Sequence, residues 1–322
     1  MKSKHVSLWH SKSTSWLEES TFDHNKSNDM VTVESLYSLV SQGTERLAIS
    51  QPLSSEVANR LAVPYMKGSL DSTFTYGYSL VGRVLDGPEH LLNNNVHLLH
   101  PHQSHARVLE SDLFALDANF DPRRAVFASN METAVNAIWD AQLELGDRLL
   151  IIGYGTIGAL IGQVAERIVG VPIDILEIAP ERRSKIDTHR LIEKVSPGAY
   201  DVAFNATGNG QMLQVALSAV RNEGRVVELS WYGESQVSLQ LGTDFHYGRK
   251  QIIGSQVSNI PFRKQPNWDY KKRKMLVMDL LESFDATKLI DQEIPWSHAA
   301  YFFNELRAAP FAGLGVIINY NE

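Results

Sequence analysis

The chain has 322 residues, of which 43% are hydrophobic and 21% are charged, and its formal net charge is −7. This length exceeds what one hydrophobic core usually holds, so we expect two domains. The acidic balance argues against a general nucleic-acid-binding protein, which needs a basic face. The sequence contains no cysteine, which excludes disulfides, cysteine-ligated zinc and thiol nucleophiles.

Neither export nor membrane insertion is expected from this sequence. The longest charge-free apolar stretch, residues 149–162, is short and interrupted by glycines, which is typical of a protein core. The N-terminus lacks the basic and apolar segments of a cleavable leader. We therefore expect a cytoplasmic protein that acts on a small molecule and has neither a membrane nor a nucleic acid as its partner.

The first part of the chain has a β-rich pattern. β-type residues alternate over residues 30–40 and 78–85, and the second run ends at the turn Asp86-Gly87-Pro88. Two more short strands are predicted at 96–99 and 106–109. This part of the chain is expected to form a small, mostly antiparallel β domain.

From about residue 123 the pattern changes to helices that alternate with strands. Helices are predicted at 123–143, from 157 onward, after Pro180, at 211–220 and at 270–281. Strands are predicted at 149–152, 173–176, 201–205, 225–230, 251–254 and 316–318. Such alternation is typical of an α/β fold with a parallel, doubly wound sheet.

Three glycines follow the strand at 149–152 with the spacing of a dinucleotide-binding turn. Gly153 allows the tight turn, Gly155 lets a pyrophosphate approach the backbone, and Gly158 lets the helix pack against the strand. The helix that follows points unpaired N–H groups and the positive end of its dipole at the turn. The expected cofactor contacts in this turn are Gly153, Tyr154, Gly155, Thr156, Ile157 and Gly158.

An acidic residue, Glu177, ends the next strand, 24 residues after Gly153. At this position a carboxylate is expected to accept the two ribose hydroxyls of NAD and to repel the 2′-phosphate of NADP. Arg182 is a further expected contact, and with Arg183 it keeps NADP as the alternative cofactor. The alternative for the whole stretch is a glycine-rich turn that binds no nucleotide, with Glu177 in solvent.

The order of these segments resembles the medium-chain dehydrogenase/reductase superfamily over essentially the whole chain. The matching residues are Gly77, Gly82, Gly146-Asp147, Gly153 to Gly158 and Gly254-Ser255. The resemblance implies a GroES-like β domain at 1–122, a Rossmann domain at 123–258 and a C-terminal return at 259–322 that completes the first domain. Residues 41–47, with 77–78 and 81–84, are similar to the zinc-lacking branch that contains bacteriochlorophyllide dehydrogenases.

The chain departs from the superfamily's zinc enzymes at the metal-ligand positions. Those enzymes carry Gly-His-Glu where this chain has Gly77-Tyr78-Ser79, and their other ligands fall near residues 41–42 and 128–129. The side chains here replace a thiolate or imidazole ligand poorly. The resemblance therefore implies that catalytic zinc is absent, whereas Thr44 keeps the position whose hydroxyl passes on the substrate proton.

Without zinc, a side chain or water must donate to the developing alkoxide. The candidates are Thr44, Tyr78 and His100; for Tyr78 the alternative is a half-buried strand tyrosine. The histidines at 97, 100, 102 and 105 are close in sequence, but a strand alternates its faces and no carboxylate or cysteine is close by. We therefore expect these histidines to lie in a loop that lines the substrate pocket without a metal. A metal site is the alternative.

Ligands of a doubly wound sheet bind at the carboxyl ends of its strands. The cofactor contacts expected there are Ala206, Thr207, Gly208, Ser230, Trp231 and Tyr232. Trp231 and Tyr232 are expected either to line the nicotinamide or a flat substrate, or to pack in the interface of a homodimer. Thr133 is expected at the nicotinamide side, with Glu132 as a proton-relay group or a first-turn acid. The basic run at 271–274 predicts a solvated helix face.

The leading hypothesis is a zinc-independent oxidoreductase that transfers hydride between a nicotinamide cofactor, NAD or NADP, and an alcohol/carbonyl substrate. An NADPH-linked quinone or enoyl reductase is one alternative, since such enzymes also work without zinc. The alternative of a different class is a nucleotide-binding regulator or scaffold without catalysis.

Overall fold

The computed structural model describes residues 2–23 and 30–321. Up to residue 125 strands are the commonest regular elements of the described chain, and the strands predicted at 30–40, 78–85, 96–99 and 106–109 are confirmed within two residues. The elements here are β1 (Lys2–His10), β2 (Ser15–Asp23), β3 (Met30–Val40), α1 (Gln42–Ser50), α2 (Ser55–Leu61), β4 (Phe74–Thr75), β5 (Leu80–Asp86), β6 (Asn95–Leu98), β7 (His105–Leu109), β8 (Phe114–Ala115) and α3 (Pro122–Ala125).

Helices and strands alternate through the next part of the chain. They are α4 (Ala128–Ala141), β9 (Leu149–Ile152), α5 (Thr156–Val169), β10 (Asp174–Leu176), α6 (Pro180–Arg183), β11 (Arg190–Ile192), β12 (Tyr200–Asn205), α7 (Gly210–Ala219), β13 (Val220–Glu228), α8 (Asp244–Tyr247), β14 (Gln251–Gly254) and α9 (Tyr270–Ser283). The tail contains β15 (Ile290–Pro295), α10 (Ala299–Ala308) and β16 (Gly315–Asn319). Short 3₁₀ helices lie at Glu89–Leu91, Glu110–Asp112, Ala286–Leu289 and Trp296–His298.

The chain divides into two units. The first comprises Met1–Ser129, Asp285–Phe311 and Gly315–Glu322, and the second comprises Asn130–Phe284 and Ala312–Leu314. The return to the first unit therefore begins at Asp285 and not at residue 259. The physical reason is that α9 belongs to the second unit, where Arg273 and Lys274 pair with Glu132 on α4.

Two sheets form the first unit. The larger has the strand order β15-β16-β3-β5-β6-β8, with β7 also paired to β3, and the smaller has the order β2-β1-β4. All recorded pairs in these sheets are antiparallel except β15 with β16. Val31 and Val33 of β3 and Leu80 and Val84 of β5 lie together in one hydrophobic core. The tail thus supplies two strands of the larger sheet.

The second unit contains a parallel sheet of six strands in the order β11-β10-β9-β12-β13-β14. All four residues of β9 are buried, as expected for a central strand covered on both faces. From β9 the chain runs outward to β11 and then returns to β12, so the direction reverses between β9 and β12. Ligands of such folds bind at the carboxyl ends of the strands at this switch point. The doubly wound α/β prediction is confirmed.

Two glycines show how local backbone geometry shapes this unit. Gly153 has φ +91° directly after β9, and Gly170 has φ +64° at the end of α5. Both lie in the left-handed region that side chains disfavour. Within residues 2–23 and 30–321, none of the helices is long and apolar enough to cross a bilayer.

Candidate functional site

The turn between β9 and α5 has the shape that a dinucleotide pyrophosphate requires. A Cβ atom at Gly158 would lie 2.0 Å from the carbonyl oxygen of Gly153, so α5 begins in direct contact with the turn. A Cβ atom at Gly155 would instead enter open space, 3.9 Å from the Nη1 atom of Arg182. Gly155 is the N-cap of α5 and has no side chain to satisfy the first N–H groups. The turn therefore fits an anionic cofactor group.

Two loops at the carboxyl ends of β12 and β13 lie against each other and beside this turn. The Gly208 N–H donates to Ser230 Oγ at 3.0 Å, and Thr207 Oγ1 donates to Asn205 Oδ1 at 2.8 Å. A Cβ atom at Gly153 would meet Thr207 Cγ2 at 2.9 Å. The structure thus brings Gly153 together with the predicted contacts in both loops.

A polar network below these loops was not predicted. The side-chain N–H of Asn205 donates to Glu228 Oε2 at 2.8 Å and to the Tyr232 hydroxyl at 3.1 Å, and that hydroxyl donates to Glu228. Burial and the Glu228 carboxylate raise the pKa of Tyr232 to about 12. Tyr232 is therefore a neutral anchor of its loop, while Trp231 beside it is 36% exposed.

Glu177 is placed differently from the sequence expectation. It is buried, and its carboxylate accepts backbone N–H groups of Tyr154 at 2.7 Å, Ile178 at 2.7 Å and Ala179 at 2.8 Å. A carboxylate has about four acceptor positions. In this conformation Glu177 therefore has about one position left, which is too few for both ribose hydroxyls. Arg182, by contrast, extends over the turn, and its Nε donates to the Gly313 carbonyl at 3.1 Å.

Thr133 lies half-buried on α4, next to a buried ion cluster. Glu132 accepts from Arg273 at 3.3 Å and from Lys274 at 2.5 Å, and burial lowers the pKa of Lys274. Arg273 is itself buried and also donates to Asn136 Oδ1 at 3.1 Å. The expectation of a solvated basic face at 271–274 is therefore wrong for these two residues. The Glu132 carboxylate thus links α4 to α9 through these two ion pairs.

In the first unit, Thr44 and Tyr78 come together with Ser41 in what we call the hydroxyl cluster. The Tyr78 hydroxyl donates to Ser41 Oγ and shares a hydrogen bond with the Thr44 side chain. Burial raises the pKa of Tyr78 to about 12, and the Glu45 carboxylate adds to this effect, whereas the two hydroxyl partners oppose it. Tyr78 is therefore a neutral phenol at physiological pH.

His100 does not behave as a proton donor. Its Nδ1 donates to the Pro101 carbonyl at 2.9 Å, and its Nε2 accepts from the Gln103 amide at 3.1 Å. Burial lowers the pKa of His100 to about 4. The prediction that His100 donates the proton therefore disagrees with the structure, because the folded protein holds this ring neutral with both nitrogens occupied.

The other histidines near His100 are bonded separately. His102 pairs with Glu45 at 2.9 Å, His97 lies 3.1 Å from Ser79 Oγ, and His105 lies 3.1 Å from Ser104 Oγ. Across the described ranges, 2–23 and 30–321, no group of three or more histidine, aspartate or glutamate side chains has an arrangement that could hold a metal ion.

Comparison with known proteins agrees with this fold. No protein-family model matches the chain. It is 26% identical over 175 residues to the zinc-type alcohol dehydrogenase-like protein YphC of Escherichia coli, covering 49% of each chain, and 24% identical over 195 residues to D-guloside 3-dehydrogenase of the same organism, covering 55% of each. The match thus spans about half the length of these curated relatives.

A solved structure matches almost completely. The L-idonate 5-dehydrogenase of E. coli superposes with a TM-score of 0.80 at 15% identity and covers 99% of both chains. At this level of identity the likeness shows the fold alone. The chain therefore has the fold of this dehydrogenase, with a mostly antiparallel first unit and a Rossmann second unit.

The buried histidines of this dehydrogenase-like fold generate a prediction about acid stability. Burial lowers the pKa of His5 and of His100 to about 4 from the usual 6.5. The unfolded chain therefore binds more protons than the folded one between these pH values. The contribution of these two histidines to the free energy of unfolding should be fully present above pH 6.5. It should fall as the pH drops toward 4, by about 1.4 kcal/mol per pH unit for each histidine.

Urea unfolding at pH 7.5, 6 and 5 measures this effect. A variant with His5→Gln and His100→Gln should lose less free energy of unfolding with acid than the unmutated protein does. His298→Gln, at an exposed position, is the control and should leave the dependence unchanged. Parallel curves for the double variant and the unmutated protein would show that these rings are not held neutral.

Proposed function

We propose that the protein is an NAD(P)(H)-dependent oxidoreductase that transfers hydride between the nicotinamide and an alcohol/carbonyl substrate without zinc. The observation that carries the proposal is the hydroxyl cluster, because Ser41 and Tyr78 stand at or beside positions where the superfamily's zinc enzymes bind metal. The relatives' names, which include an alcohol dehydrogenase-like protein and sugar-derivative dehydrogenases, support the reaction class.

In the proposed reaction the bound cofactor supplies or accepts the hydride. The Gly155 backbone and the first N–H groups of α5 bind the pyrophosphate. Reduction of a carbonyl also consumes one proton, and Tyr78 and Thr44 supply the O–H groups that donate to its oxygen. Tyr78 stays protonated up to a pH of about 12, so it is available as a donor under physiological conditions. Solvent then replaces the proton.

The donor set of the first unit does not suit zinc. Ser41 accepts from Tyr78, and Ser129 Oγ donates to the Tyr78 carbonyl at 2.8 Å, so both hydroxyls already have protein partners. Zinc prefers thiolate, imidazole and carboxylate ligands. A metal ion therefore takes no part in the proposed reaction. The cytoplasmic location and the homodimer stay predictions.

We infer that the cofactor is NAD(H) and not NADP(H). Three backbone N–H groups fix the Glu177 carboxylate beside the glycine-rich turn. A 2′-phosphate bound there would approach this carboxylate, whether or not the carboxylate also accepts a ribose hydroxyl. Arg182 is the residue that would favour NADP(H), and its position over Gly155 makes it the second determinant of this choice.

Cofactor binding is predicted to depend on the space over Gly155. In Gly155→Val the added Cβ atom would meet only Arg182 Nη1, at 3.9 Å, so the variant should fold and yet bind NADH at least about 100-fold more weakly. Gly242→Val is the control, because a Cβ atom at Gly242 meets nothing within 4 Å. Fluorescence titration with NADH and NADPH measures the loss of affinity in the variant and the preference of the unmutated protein between the two cofactors. Undiminished binding by Gly155→Val, or tighter binding of NADPH than NADH by the unmutated protein, would contradict this assignment.

Catalysis is predicted to depend on the hydroxyls of Thr44 and Tyr78. Thr44→Val and Tyr78→Phe should each lower kcat by about 100-fold or more while NADH binding is retained, because the lost O–H groups move protons and do not hold the cofactor. Thr32→Val, a buried threonine on β3, is the matched control.

The assay follows NADH absorbance with a panel of aldehydes, ketones, quinones and enones. Turnover of quinones or enones alone would favour the reductase alternative. Binding of NADH without turnover of any of these compounds would favour a regulator or scaffold. Unchanged turnover in both variants would remove the hydroxyl cluster from the mechanism.

A further inference from the structure

A buried hydrogen-bonded chain lies behind the hydroxyl cluster. The Glu45 carboxylate and the His102 ring are both almost completely buried, and His102 Nε2 donates to Glu45 Oε2 at 2.9 Å. His102 Nδ1 shares a hydrogen bond with Ser38 Oγ at 2.7 Å, and Ser38 Oγ shares one with the Tyr320 hydroxyl at 3.0 Å. The Glu45 carboxylate ends this buried chain, in which neighbouring hydrogen bonds strengthen one another.

The other oxygen of Glu45 holds the start of α1. Ser41 is the N-cap of this helix, and a serine there usually caps the helix with its own side chain. Here the Ser41 side chain makes no such bond. Instead its backbone N–H donates to Glu45 Oε1 at 2.7 Å, and its hydroxyl accepts from Tyr78. Because Glu45 holds the helix start, the Ser41 hydroxyl is available to the cluster.

His102 also packs against the segment that carries Tyr78. A Cβ atom at Gly77 would lie 2.9 Å from the His102 ring, and Gly77 has φ +125°, so this approach requires glycine. The His102 backbone N–H donates to the Tyr76 carbonyl at 3.0 Å. One histidine therefore contacts both the residue before Tyr78 and the carboxylate that holds Ser41.

We propose that Glu45 is a positioning residue for the hydroxyl cluster, that His102 supports it, and that Ser41 is the third hydroxyl of the site. In the superfamily's zinc enzymes a metal ion organises the donors, whereas here a buried carboxylate and histidine do so. Glu45 acts through Ser41 and Tyr78 and does not touch the substrate. This inference rests on the proposed oxidoreductase function.

The test combines turnover with a direct observation of Tyr78. Glu45→Ala removes the acceptor for Ser41 and should lower kcat by about 100-fold with little change in the Kd for NADH, because misplacement of a reacting group by about 1 Å has an effect of this size. Glu45→Gln keeps an acceptor for the Ser41 N–H and should restore kcat to within about threefold of the unmutated protein. Ser41→Ala should lower kcat although Glu45 is intact.

The ring-carbon NMR signal of ¹³C-labelled Tyr78, assigned with Tyr78→Phe, gives a measure that a merely structural role would not change. Glu45→Ala should move this signal at neutral pH, because it displaces Ser41, which accepts from the Tyr78 hydroxyl, and Glu45→Gln should return the signal toward its position in the unmutated protein. His5→Gln, a buried histidine bonded to Ser7 and outside the chain described above, is the control and should change neither kcat nor the Tyr78 signal.

These measurements separate the inference from the proposed function. If the unmutated protein reduces none of the compounds, the proposed function fails, but the Tyr78 signal still tests the positioning role because its measurement needs no substrate. An unchanged Tyr78 signal in Glu45→Ala would overturn the inference. So would a Glu45→Ala variant that keeps full turnover, or one in which kcat, NADH binding and the free energy of unfolding decline together with no recovery in Glu45→Gln.

Discussion

The contact between the start of α5 and the turn after β9 is the constraint on which the second unit depends. The Gly153 carbonyl lies where any side chain at position 158 would have to be, so helix and strand approach more closely than other residues allow. This approach aims the free N–H groups of α5 at the open space over Gly155. The 206–208 loop packs on the same turn, and Glu177 anchors its central residue, Tyr154.

The first unit is organised by hydrogen bonds to a buried acid. Glu45 collects donors from α1 and from His102, and its helix carries two of the three hydroxyls of the cluster. Removal of one partner from a buried polar network costs more than one such bond contributes, since the remaining group stays desolvated. The orientation of Tyr78 and the stability of this unit are therefore coupled. Glu45→Gln distinguishes the two effects because it keeps an acceptor at this position.

The sequence was most informative where structure is local. The buried run of β9, the glycine spacing and the helical period of α5 predicted the strand, turn and helix at this point, and the alternation over residues 30–40 predicted β3. The position of Glu177 was also predicted, but its partners were not, because they are backbone N–H groups whose direction depends on the folded turn. The same applies to His100, which is neutral because of burial and Gln103. The sequence also predicted a solvated Arg273, because its partner on α4, Glu132, lies 141 residues away in the chain.

The central claim is that a hydroxyl cluster, and not a metal ion, assists the reaction at the carbonyl oxygen. Metal analysis of the purified protein before and after exhaustive chelation, combined with turnover of an identified substrate, tests it most directly. We predict that the purified protein contains less than one zinc ion per chain and that both NADH binding and turnover persist after chelation. One zinc ion per chain whose removal abolishes turnover and whose return restores it would contradict the claim.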